Sequence, residues 1–297
     1  MSQRTWLITG VSSGFGRVMT EQLLARGDRV AGTVRDLAVM DDLKARYGER
    51  LWLAELDVSD MPAIRPVVDR AYAALGRIEV VVSNAGYGLM GAAEELTDTQ
   101  VRHQIDTNLV GSIQLIRAAL PHLRAQGGGR ILQLSSMGGQ VAFPGGSLYH
   151  ATKWGIEGFL DSVALEVAPF GIGCTLIEPG GARTDFRHRS AQLAPELEAY
   201  EISPSRMVNR IIADDSRPSP GDPDKMVQIM VASVDEEPAP RRIALGSDAY
   251  QVMHAQLSAR LAALEAQRTL ACSTDVAEAD GAPARWFEAD APRSTSA

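Results

Sequence analysis

The sequence predicts a doubly wound α/β fold, in which a mostly parallel sheet of about seven strands carries helices on both faces. Three observations favour this fold. Short runs made almost wholly of apolar residues alternate with longer segments of helical periodicity along most of the 297 residues. Such runs are typical of parallel strands that are buried on both sides and joined by crossover helices. A glycine-rich turn also lies directly between the first strand and the first helix.

The elements follow one another in a regular order. In the first helix, Met19 and Leu23 recur at helical spacing, and Gly27 can adopt the positive φ that often ends a helix. Apolar runs predict strands at 6–10, 29–34, 51–56, 78–83, 130–134, 174–178 and, more briefly, 242–246, and helical patterns cover about 15–26, 62–75, 98–125 and 149–168.

Composition and charge limit the classes of function. The chain has 45% hydrophobic and 22% charged residues, which is ordinary for a globular protein. Its formal net charge of −8 argues against nucleic acid or an anionic membrane as the main partner. No run of 18 apolar residues occurs, and the N-terminus enters a strand at once, so neither a membrane span nor a secretory signal is predicted. The expected location is the cytoplasm.

The potential metal ligands form no recognisable motif. Cys174 and Cys272 are the two cysteines, neither belongs to a metal-binding spacing, and the five histidines are scattered. No metal site is therefore predicted. Cys174 lies within an apolar run and is predicted to be a small, buried core residue.

A single catalytic domain is predicted over residues 1–270. Within it, residues 183–225 mix charge, proline and methionine with little strand signal, and we interpret them as a substrate-loop region. Residues 271–297 are rich in Ala, Asp, Glu, Pro and Ser and are predicted to form a C-terminal tail. Two interpretations of the tail stay open: a mobile end, or a segment that docks Trp286 and Phe287 on the core or on a neighbouring subunit.

Tyr149 and Lys153 begin the last long helical pattern, and their spacing of four residues places both side chains on one helix face. A lysine ammonium beside a phenol stabilises the phenolate, so the pKa of Tyr149 is expected to lie below its usual value of about 10. Such a phenol can donate or accept a proton in catalysis. Because the same spacing occurs in many amphipathic helices, its meaning depends on the residues upstream.

The turn after the first strand has the composition of a phosphate-binding loop. Its glycines provide positions without a Cβ atom, where the backbone turns sharply and a pyrophosphate can approach. The free amides and the positive dipole end of the following helix then face the anion. The residues of this loop that are predicted to bind a dinucleotide are Gly10, Ser12, Ser13, Gly14, Phe15 and Gly16.

The order of these motifs resembles that of the short-chain dehydrogenase/reductase superfamily in its shorter, one-domain form, whose fold is Rossmann-like. The spacing Gly-x-x-x-Gly-x-Gly is the one found in that superfamily, and the resemblance covers about residues 4–185, and more loosely extends to 268. It implies a cofactor site in which Asp57 and Val58 lie near the adenine, Asn84, Ala85 and Gly86 form a turn, and Pro179, Gly180 and Thr184 follow the sixth strand.

The resemblance also implies the chemistry. Tyr149 is expected to be the general acid in carbonyl reduction and the general base in alcohol oxidation, while Lys153 lowers its pKa and holds the nicotinamide ribose. Ser136 is expected to hydrogen-bond the substrate oxygen, with Ser135 as the alternative if the loop register differs by one residue. Asn108 is expected to hold a water that passes protons from Lys153 to solvent.

The residues after the second strand favour NADP as the cofactor. Val34 occupies the position where an acidic residue would bind the ribose 2′-hydroxyl of NAD. Arg35 follows, and its guanidinium suits the 2′-phosphate of NADP by charge and by geometry. If the strand ends one or two residues later, Asp36 becomes a ribose acceptor and NAD the cofactor.

The segments expected at the carboxyl edge of the sheet are rich in apolar groups. We therefore expect a lipophilic ketone or aldehyde, or its alcohol, as the substrate, and the resemblance favours reduction. Two alternatives are a non-catalytic NADP(H)-binding sensor and, disfavoured by the glycine spacing, an epimerase or dehydratase of the longer branch. Family members commonly associate through the helices at 98–125 and 149–168, so a homodimer or homotetramer is expected. Candidate pocket residues are Met90, Val141, Phe143, Phe186, Leu193, Tyr200 and Met207.

Overall fold

The computed structural model describes residues 3–214, 216 and 218–275. Its strands are β1 (Thr5–Thr9), β2 (Arg29–Val34), β3 (Leu51–Glu55), β4 (Val80–Ser83), β5 (Gly88–Met90), β6 (Gly129–Leu134), β7 (Ile172–Pro179), β8 (Ala191–Leu193) and β9 (Arg242–Leu245). Its α-helices are α1 (Gly14–Ala25), α2 (Asp41–Tyr47), α3 (Met61–Leu75), α4 (Asp98–Ile105), α5 (Gly111–Ala125), α6 (Ser147–Val167), α7 (Ser205–Ala213), α8 (Pro223–Ala232), α9 (Ser247–Glu265) and α10 (Arg268–Cys272).

Seven of these strands form one parallel sheet in the order β3-β2-β1-β4-β6-β7-β9. The interior strand β1 pairs with β2 on one side and β4 on the other, so that Trp6 lies opposite both Val30 and Val80. The chain thus winds outward in two directions from β1, and the loops that follow β1 and β4 meet at the carboxyl edge of the sheet. The predicted doubly wound, Rossmann-like fold is confirmed.

The two faces of the sheet carry two separate hydrophobic cores. Alternate residues of a strand point to opposite faces, so Leu7 joins the core beneath α3, α5 and α6, whereas Trp6 and Ile8 join the core beneath α1 and α8. All three side chains are fully buried. Burial on both faces explains why these strands appear in the sequence as continuous apolar runs.

The structure differs from the predicted elements at several places. The helix predicted over 98–125 is interrupted at Asp106–Val110 by a π-helical turn, which separates α4 from α5. The substrate-loop region contains real secondary structure, because β8 pairs in parallel with β5 in a small second sheet and α7 follows. The helices α2, α8, α9 and α10 were not predicted either. Helices as short as α2 and α10 carry too little periodic signal to be found in a sequence.

The C-terminal part of the described chain forms a separate compact unit. The contacts divide the chain into residues 1–254 and a unit that starts at Ala255. The predicted domain end at 270 and the predicted tail stay predictions, and Trp286 and Phe287 lie outside the described residues. In the part of the chain that the structure describes, no helix is long and apolar enough to cross a membrane.

Candidate active site

The glycine-rich loop is held against the ends of two neighbouring strands. The amides of Gly10 and Val11 both donate to the carbonyl of Thr33, at 3.0 and 3.1 Å, and Gly10 adopts a positive φ of 72°. The loop therefore turns sharply from β1 into α1. Of the other residues predicted here, Gly14 has open space on its Cβ side, Ser12 is exposed, and Phe15 packs against the core beneath α1.

The N-terminus of α1 suits an anion. Ser13 is its N-cap residue but makes no side-chain cap hydrogen bond, and the first turn contains no acidic residue. The first amides of a helix have no acceptor within the helix, and they lie at the positive end of its dipole. The loop and this helix end together fit the pyrophosphate of a dinucleotide, in agreement with the prediction from the glycine spacing.

Asn84 joins the loop to the turn that follows β4. Its side-chain amide donates to the carbonyls of Thr9 and Gly10 at 2.8 and 3.0 Å, and its backbone amide donates to Thr9 Oγ1 at 3.0 Å. The amide of Ala85 donates to the same hydroxyl at 3.1 Å. Asn84 and Ala85 therefore support the phosphate-binding loop from beneath. Gly86 is in close contact with Asn108, because a Cβ atom at Gly86 would lie 3.1 Å from Asn108 Oδ1.

Gly16 has no room for any side chain, and this gives a first testable prediction. A Cβ atom at this position would lie 2.2 Å from Gly10 O and 2.6 Å from Asn84 Nδ2. Gly16→Ala is therefore expected to displace the loop and to weaken dinucleotide binding at least about tenfold, a cost of about 1.4 kcal/mol. Fluorescence titration with NADPH measures the effect, and Gly158→Ala, at a helix position with open space, is the control. Equal affinities of the two variants would contradict this interpretation of the loop.

The predicted adenine end of the site brings Arg35 and Asp57 into electrostatic contact. Burial raises the pKa of Asp57, but hydrogen bonds from Ser59 and the charge of Arg35 bring it below its ordinary value. Asp57 Oδ1 accepts from the amide and hydroxyl of Ser59 at 2.8 and 2.7 Å. Val58 is buried in the core beneath α3 and α5. Arg35 is exposed at the end of β2, where it is available to an anionic group.

Tyr149 and Lys153 lie together on α6, as their spacing predicts. Both side chains are buried, and Lys153 Nζ is 5.7 Å from the centroid of the Tyr149 ring. The ammonium also donates to the carbonyl of Leu134 at 2.9 Å, at the carboxyl end of β6. This hydrogen bond directs the lysine towards the edge of the sheet at which the glycine loop and the Asn84 turn meet.

The expected lowering of the Tyr149 pKa is wrong for this structure. Burial raises the pKa of the Tyr149 phenol, the charge of Glu157 raises it further, and a hydrogen bond with Ser136 lowers it only in part. The prediction treated the pair as an isolated helix and therefore omitted desolvation, which disfavours the charged form of a buried group.

Ser136 is the serine that faces Tyr149. The hydrogen bond between them contributes to the pKa of Tyr149. Ser136 Oγ also accepts from the amide of Gly138 at 3.1 Å and caps a short 3₁₀ turn at Met137–Gly139. Ser135, the alternative, points elsewhere: its hydroxyl donates to Glu157 Oε1 at 2.5 Å. Of the two serines, Ser136 is therefore the one beside Tyr149, and its expected contact with the substrate oxygen stays a prediction.

Asn108 occupies the middle of the π-helical turn and is buried. Its side-chain oxygen accepts from the amide of Tyr87 at 3.0 Å, and its side-chain nitrogen donates to the carbonyl of Tyr87 at 2.7 Å. The same nitrogen donates to Thr152 Oγ1 at 3.4 Å, one residue before Lys153. The Asn108 side chain therefore connects the turn after β4 to α6, and its expected water-holding role stays a prediction.

The last predicted cofactor residues follow β7. Pro179 is the final residue of that strand, and the amide of Gly180 donates to the carbonyl of Leu245 at 2.8 Å. Thr184 is half-buried, and its amide donates to the carbonyl of Ala182 at 2.9 Å. These residues lie at the same carboxyl edge of the sheet as the other motifs, because β7 is parallel to β6.

A small apolar cluster covers Tyr149. Met90, Val208 and the partly buried Phe143 pack with it, so β5 and α7 both contribute to the wall of the site. Two of these residues were predicted, and Val208 was missed, because nothing in the sequence indicated that α7 folds back onto α6. Of the other candidates, Val141 joins a different cluster, Phe186 and Leu193 are partly exposed, and Tyr200 donates to Glu94; the Met207 side chain lies outside the described part.

His150, which follows Tyr149, has a structural role. Its Nδ1 lies 2.9 Å from the carbonyl of Gly138, and its Nε2 accepts from the amide of Phe143 at 3.3 Å. The ring is also in edge contact with Phe143. His150 therefore holds the 138–143 loop in place.

A buried ion pair fixes the substrate-loop region next to the site. Arg206 Nη2 on α7 lies 2.7 Å from Glu95 Oε1 and donates to the carbonyl of Leu197 at 2.7 Å. Glu95 also accepts from the amides of Ala92 and Leu197 at 2.8 and 2.9 Å. This pair holds α7, and with it Val208, against the segment after β5. Sequence reasoning missed it, since the two residues are far apart in the chain and belong to no motif.

Comparison with known proteins agrees with this geometry. The profile of the short chain dehydrogenase family matches residues 4–194. The chain is 36% identical to Oxidoreductase BOA17 of Botryotinia fuckeliana over 84% of this chain and 90% of that protein. It is 33% identical to the 3-ketodihydrosphingosine reductase of Bacteroides thetaiotaomicron over 68% and 74% of the two chains. A crystal structure of a short-chain dehydrogenase from Streptomyces avermitilis superposes with a TM-score of 0.86 at 38% identity and covers 93% of this chain and 100% of that one.

Proposed function

The chain belongs to the short-chain dehydrogenase family, whose enzymes act on CH–OH groups with NAD(P), and we propose that it is an NADP(H)-dependent reductase of a lipophilic ketone or aldehyde. One observation carries the proposal. Tyr149, Ser136 and Lys153 converge at the carboxyl edge of the sheet, beside the glycine loop and beneath an apolar cover. This arrangement combines a proton donor, a partner for a carbonyl oxygen and a cation at a dinucleotide site.

The catalytic roles follow from the surroundings of each side chain. A bound nicotinamide supplies the hydride, so the protein has to manage one proton and the orientation of the substrate. Because burial raises the pKa of Tyr149, its hydroxyl stays protonated and is ready to donate to the carbonyl oxygen during reduction. Ser136, which already contacts Tyr149, hydrogen-bonds the same oxygen and stabilises its developing charge. Lys153 holds the nicotinamide ribose.

Asn108 and the cofactor residues complete the proposed site. The π-helical turn sets the position of Asn108 between Tyr87 and the helix that carries Lys153, which supports a role in organising proton exchange with solvent. The proposed dinucleotide contacts are Gly10, Ser12, Ser13, Gly14, Phe15, Gly16, Arg35, Asp57, Val58, Asn84, Ala85, Gly86, Tyr149, Lys153, Pro179, Gly180 and Thr184.

The preference for NADP rests on Arg35 and Asp36. β2 ends at Val34, so Arg35 is the first residue beyond the strand and remains exposed. Asp36, on which binding of NAD would depend, instead caps the 3₁₀ turn at Leu37–Met40, and its Oδ1 accepts from the amide of Ala38 at 3.0 Å. A guanidinium without a competing ribose acceptor supports binding of a 2′-phosphate.

Arg35→Ala gives the second testable prediction. Loss of a charge-assisted contact to the 2′-phosphate, worth about 1.5–3 kcal/mol, should raise the Kd for NADPH about 10- to 100-fold and leave that for NADH nearly unchanged. Both constants are measured by fluorescence titration. Arg46→Ala removes an exposed arginine of the same charge from α2 and serves as the control. Tighter binding of NADH than of NADPH by the unmodified protein would refute the NADP assignment.

The apolar residues that pack around Tyr149 support an apolar substrate. Met90, Phe143 and Val208 offer thioether, aromatic and aliphatic surface beside the phenol. The reductase of Bacteroides thetaiotaomicron noted above is named for the keto compound 3-ketodihydrosphingosine. We therefore propose ketones or aldehydes with an extended apolar part as substrates, and reduction as the direction.

A spectrophotometric screen of NADPH oxidation tests the proposed function. The panel should contain long-chain aliphatic ketones, aromatic ketones and aldehydes, together with small polar carbonyl compounds as the comparison set. Higher kcat/KM for the apolar members supports the proposal. No consumption of NADPH with any carbonyl compound, despite tight binding of NADPH, would instead favour a nucleotide sensor.

The proposal also covers the domain organisation, the location and the oligomeric state of the protein. We propose one catalytic domain over 1–270 with the substrate region at 183–225, a location in the cytoplasm, and a homodimer or homotetramer formed through α5 and α6. Leu165 on α6 is exposed and available for such contacts, whereas Val163 is buried in the core. Light scattering of the purified protein gives the mass of the assembly.

A further inference from the structure

A buried carboxylate lies one helical turn beyond Lys153. Glu157 is 2% exposed, and three side chains donate to it from three different parts of the fold. Ser135 Oγ donates to its Oε1 at 2.5 Å, while Gln140 Nε2 and Arg242 Nη1 donate to its Oε2, the latter at 2.6 Å. A buried carboxylate with this many donors is held in one position as an acceptor of hydrogen bonds.

The carboxylate of Glu157 lies directly beneath the turn that begins at Ser136. A Cβ atom at Gly139 would lie 1.8 Å from Glu157 Oε1, so the carboxylate fills the space of the missing side chain. Ser136 caps this same turn through its hydrogen bond from Gly138. Ser135, the residue before Ser136, is tied to Glu157 by its hydroxyl. Glu157 therefore supports the backbone on both sides of Ser136.

Glu157 also acts electrostatically on the two proposed catalytic groups of its own helix. Burial lowers the pKa of Lys153 to about 8, and the charge of Glu157 opposes that change. The same charge raises the pKa of Tyr149, in addition to the larger effect of burial. A negative charge one turn away thus favours the ammonium of Lys153 and the protonated form of Tyr149, which are the two forms needed for reduction.

The other charged groups of this region connect Glu157 to the protein surface. Arg242 of β9 also donates through Nη1 to Glu178 Oε1 of β7 at 2.5 Å, and its Nη2 donates to Asp161 of α6, which is partly exposed. Burial and the charge of Glu157 raise the pKa of Glu178 to about 7. The other titratable groups on α6 and on the elements packed against it are Asp98, Arg102, His103, Asp106, Arg117, His122, Arg124, His150, Glu166 and Cys174.

We propose that Glu157 is a positioning residue of the active site, which keeps Lys153 in its ammonium form and fixes the turn that presents Ser136. The proposal rests on the proposed function, because it takes Lys153 and Ser136 as working groups. It adds a residue that belongs to no recognised motif of the sequence. The motif spacing could not indicate it, since its partners Ser135, Gln140 and Arg242 come from distant segments.

The direct test is the titration of Lys153 in Glu157→Gln, which removes the charge and keeps the shape. The chain contains only three lysines, Lys44, Lys153 and Lys225, so the side-chain carbon signals of lysine-labelled protein can be followed individually by NMR against pH. Lys153→Arg assigns the signal. We expect Glu157→Gln to lower the titration midpoint of Lys153 by about one pH unit, since an opposite charge at close range shifts a pKa by about 1–3 units.

Glu178→Gln is the matched control. Glu178 is as deeply buried as Glu157 and is bound by the same Arg242 nitrogen, but it lies on β7 rather than on the catalytic helix. Its replacement should leave the Lys153 midpoint unchanged. Equal shifts in the two variants, or no shift in Glu157→Gln, would overturn the proposal. If Glu157→Gln does not fold, Glu157→Asp is the second variant, because it keeps the charge but withdraws it by one methylene. A Lys153 midpoint identical to that of the unmodified protein would then count against the proposal.

The pH profile of carbonyl reduction provides the functional measurement. In Glu157→Gln the alkaline limb should move to lower pH, because both Lys153 and Tyr149 lose their protons earlier. A residue with a merely structural role would lower the rate at all pH values without moving this limb. Failure of the proposed function, that is, absence of any NADPH-dependent reduction, would leave the NMR titration intact, so the two proposals can fail separately.

Discussion

Replacement of Tyr149 by phenylalanine should lower kcat for carbonyl reduction by about 10²- to 10⁴-fold, the usual contribution of a general acid. The substitution removes the one proton donor that Ser136 and Lys153 surround, and it leaves the ring among Met90, Phe143 and Val208. The ring fills the same volume, so the fold and the affinity for NADPH should change little. Single-turnover rates and fluorescence titration separate the two effects.

A second buried phenol provides the control for this substitution. Tyr72 on α3 is buried, and within the described residues its hydroxyl has no hydrogen-bond partner. Tyr72→Phe therefore removes a buried phenolic oxygen without removing a proton donor from the site, and kcat should be unaffected. A Tyr149→Phe protein with near-normal kcat would exclude Tyr149 as the acid.

Replacement of Lys153 by alanine should impair both cofactor binding and catalysis. Loss of charge-assisted hydrogen bonds to the nicotinamide ribose, about 1.5–3 kcal/mol, should raise the Kd for NADPH about 10- to 100-fold. The turnover of bound substrate should fall as well, because the charge beside Tyr149 is lost. Lys225→Ala, an exposed lysine on α8, is the control.

The pH dependence of NADPH binding provides a sharper form of the same prediction. Burial lowers the pKa of Lys153 to about 8, so the ammonium is present below that pH and is lost as the pH rises through it. The affinity for NADPH should therefore be full near pH 7 and decline above pH 8. In Lys153→Ala this decline should disappear. An unchanged decline in the variant would assign the titration to another group.

Most of the fold was predictable from the sequence, because the sheet is buried on both faces. In a strand such as β1, Trp6, Leu7 and Ile8 are all apolar, and the boundaries predicted for β2 match those of the structure. The π-helical turn at Asp106–Val110 and the pairing of β5 with β8 were not predictable. They depend on contacts with distant segments, and neither leaves a periodic pattern in the sequence.

The candidate site, too, was predictable from the sequence only in part. The spacing of Tyr149 and Lys153 and the glycines of the first loop are local patterns, and the structure places them as those patterns predict. The choice between Ser135 and Ser136, and the direction of the Tyr149 pKa shift, required the structure. Both depend on Glu157 and on burial, which are properties of the packed protein.

The sequence by itself determined the α/β class, the family and the identity of the residues available for chemistry, because these are encoded in local runs and short spacings. Only the tertiary structure decided how those residues behave. It brought α7 and Val208 over Tyr149 through the Glu95–Arg206 ion pair, and it placed Glu157 beneath the Ser136 turn. The physical reason is that desolvation and the electrostatic field at a buried group are set by every element packed around it, whereas a sequence motif specifies only the residues of one segment.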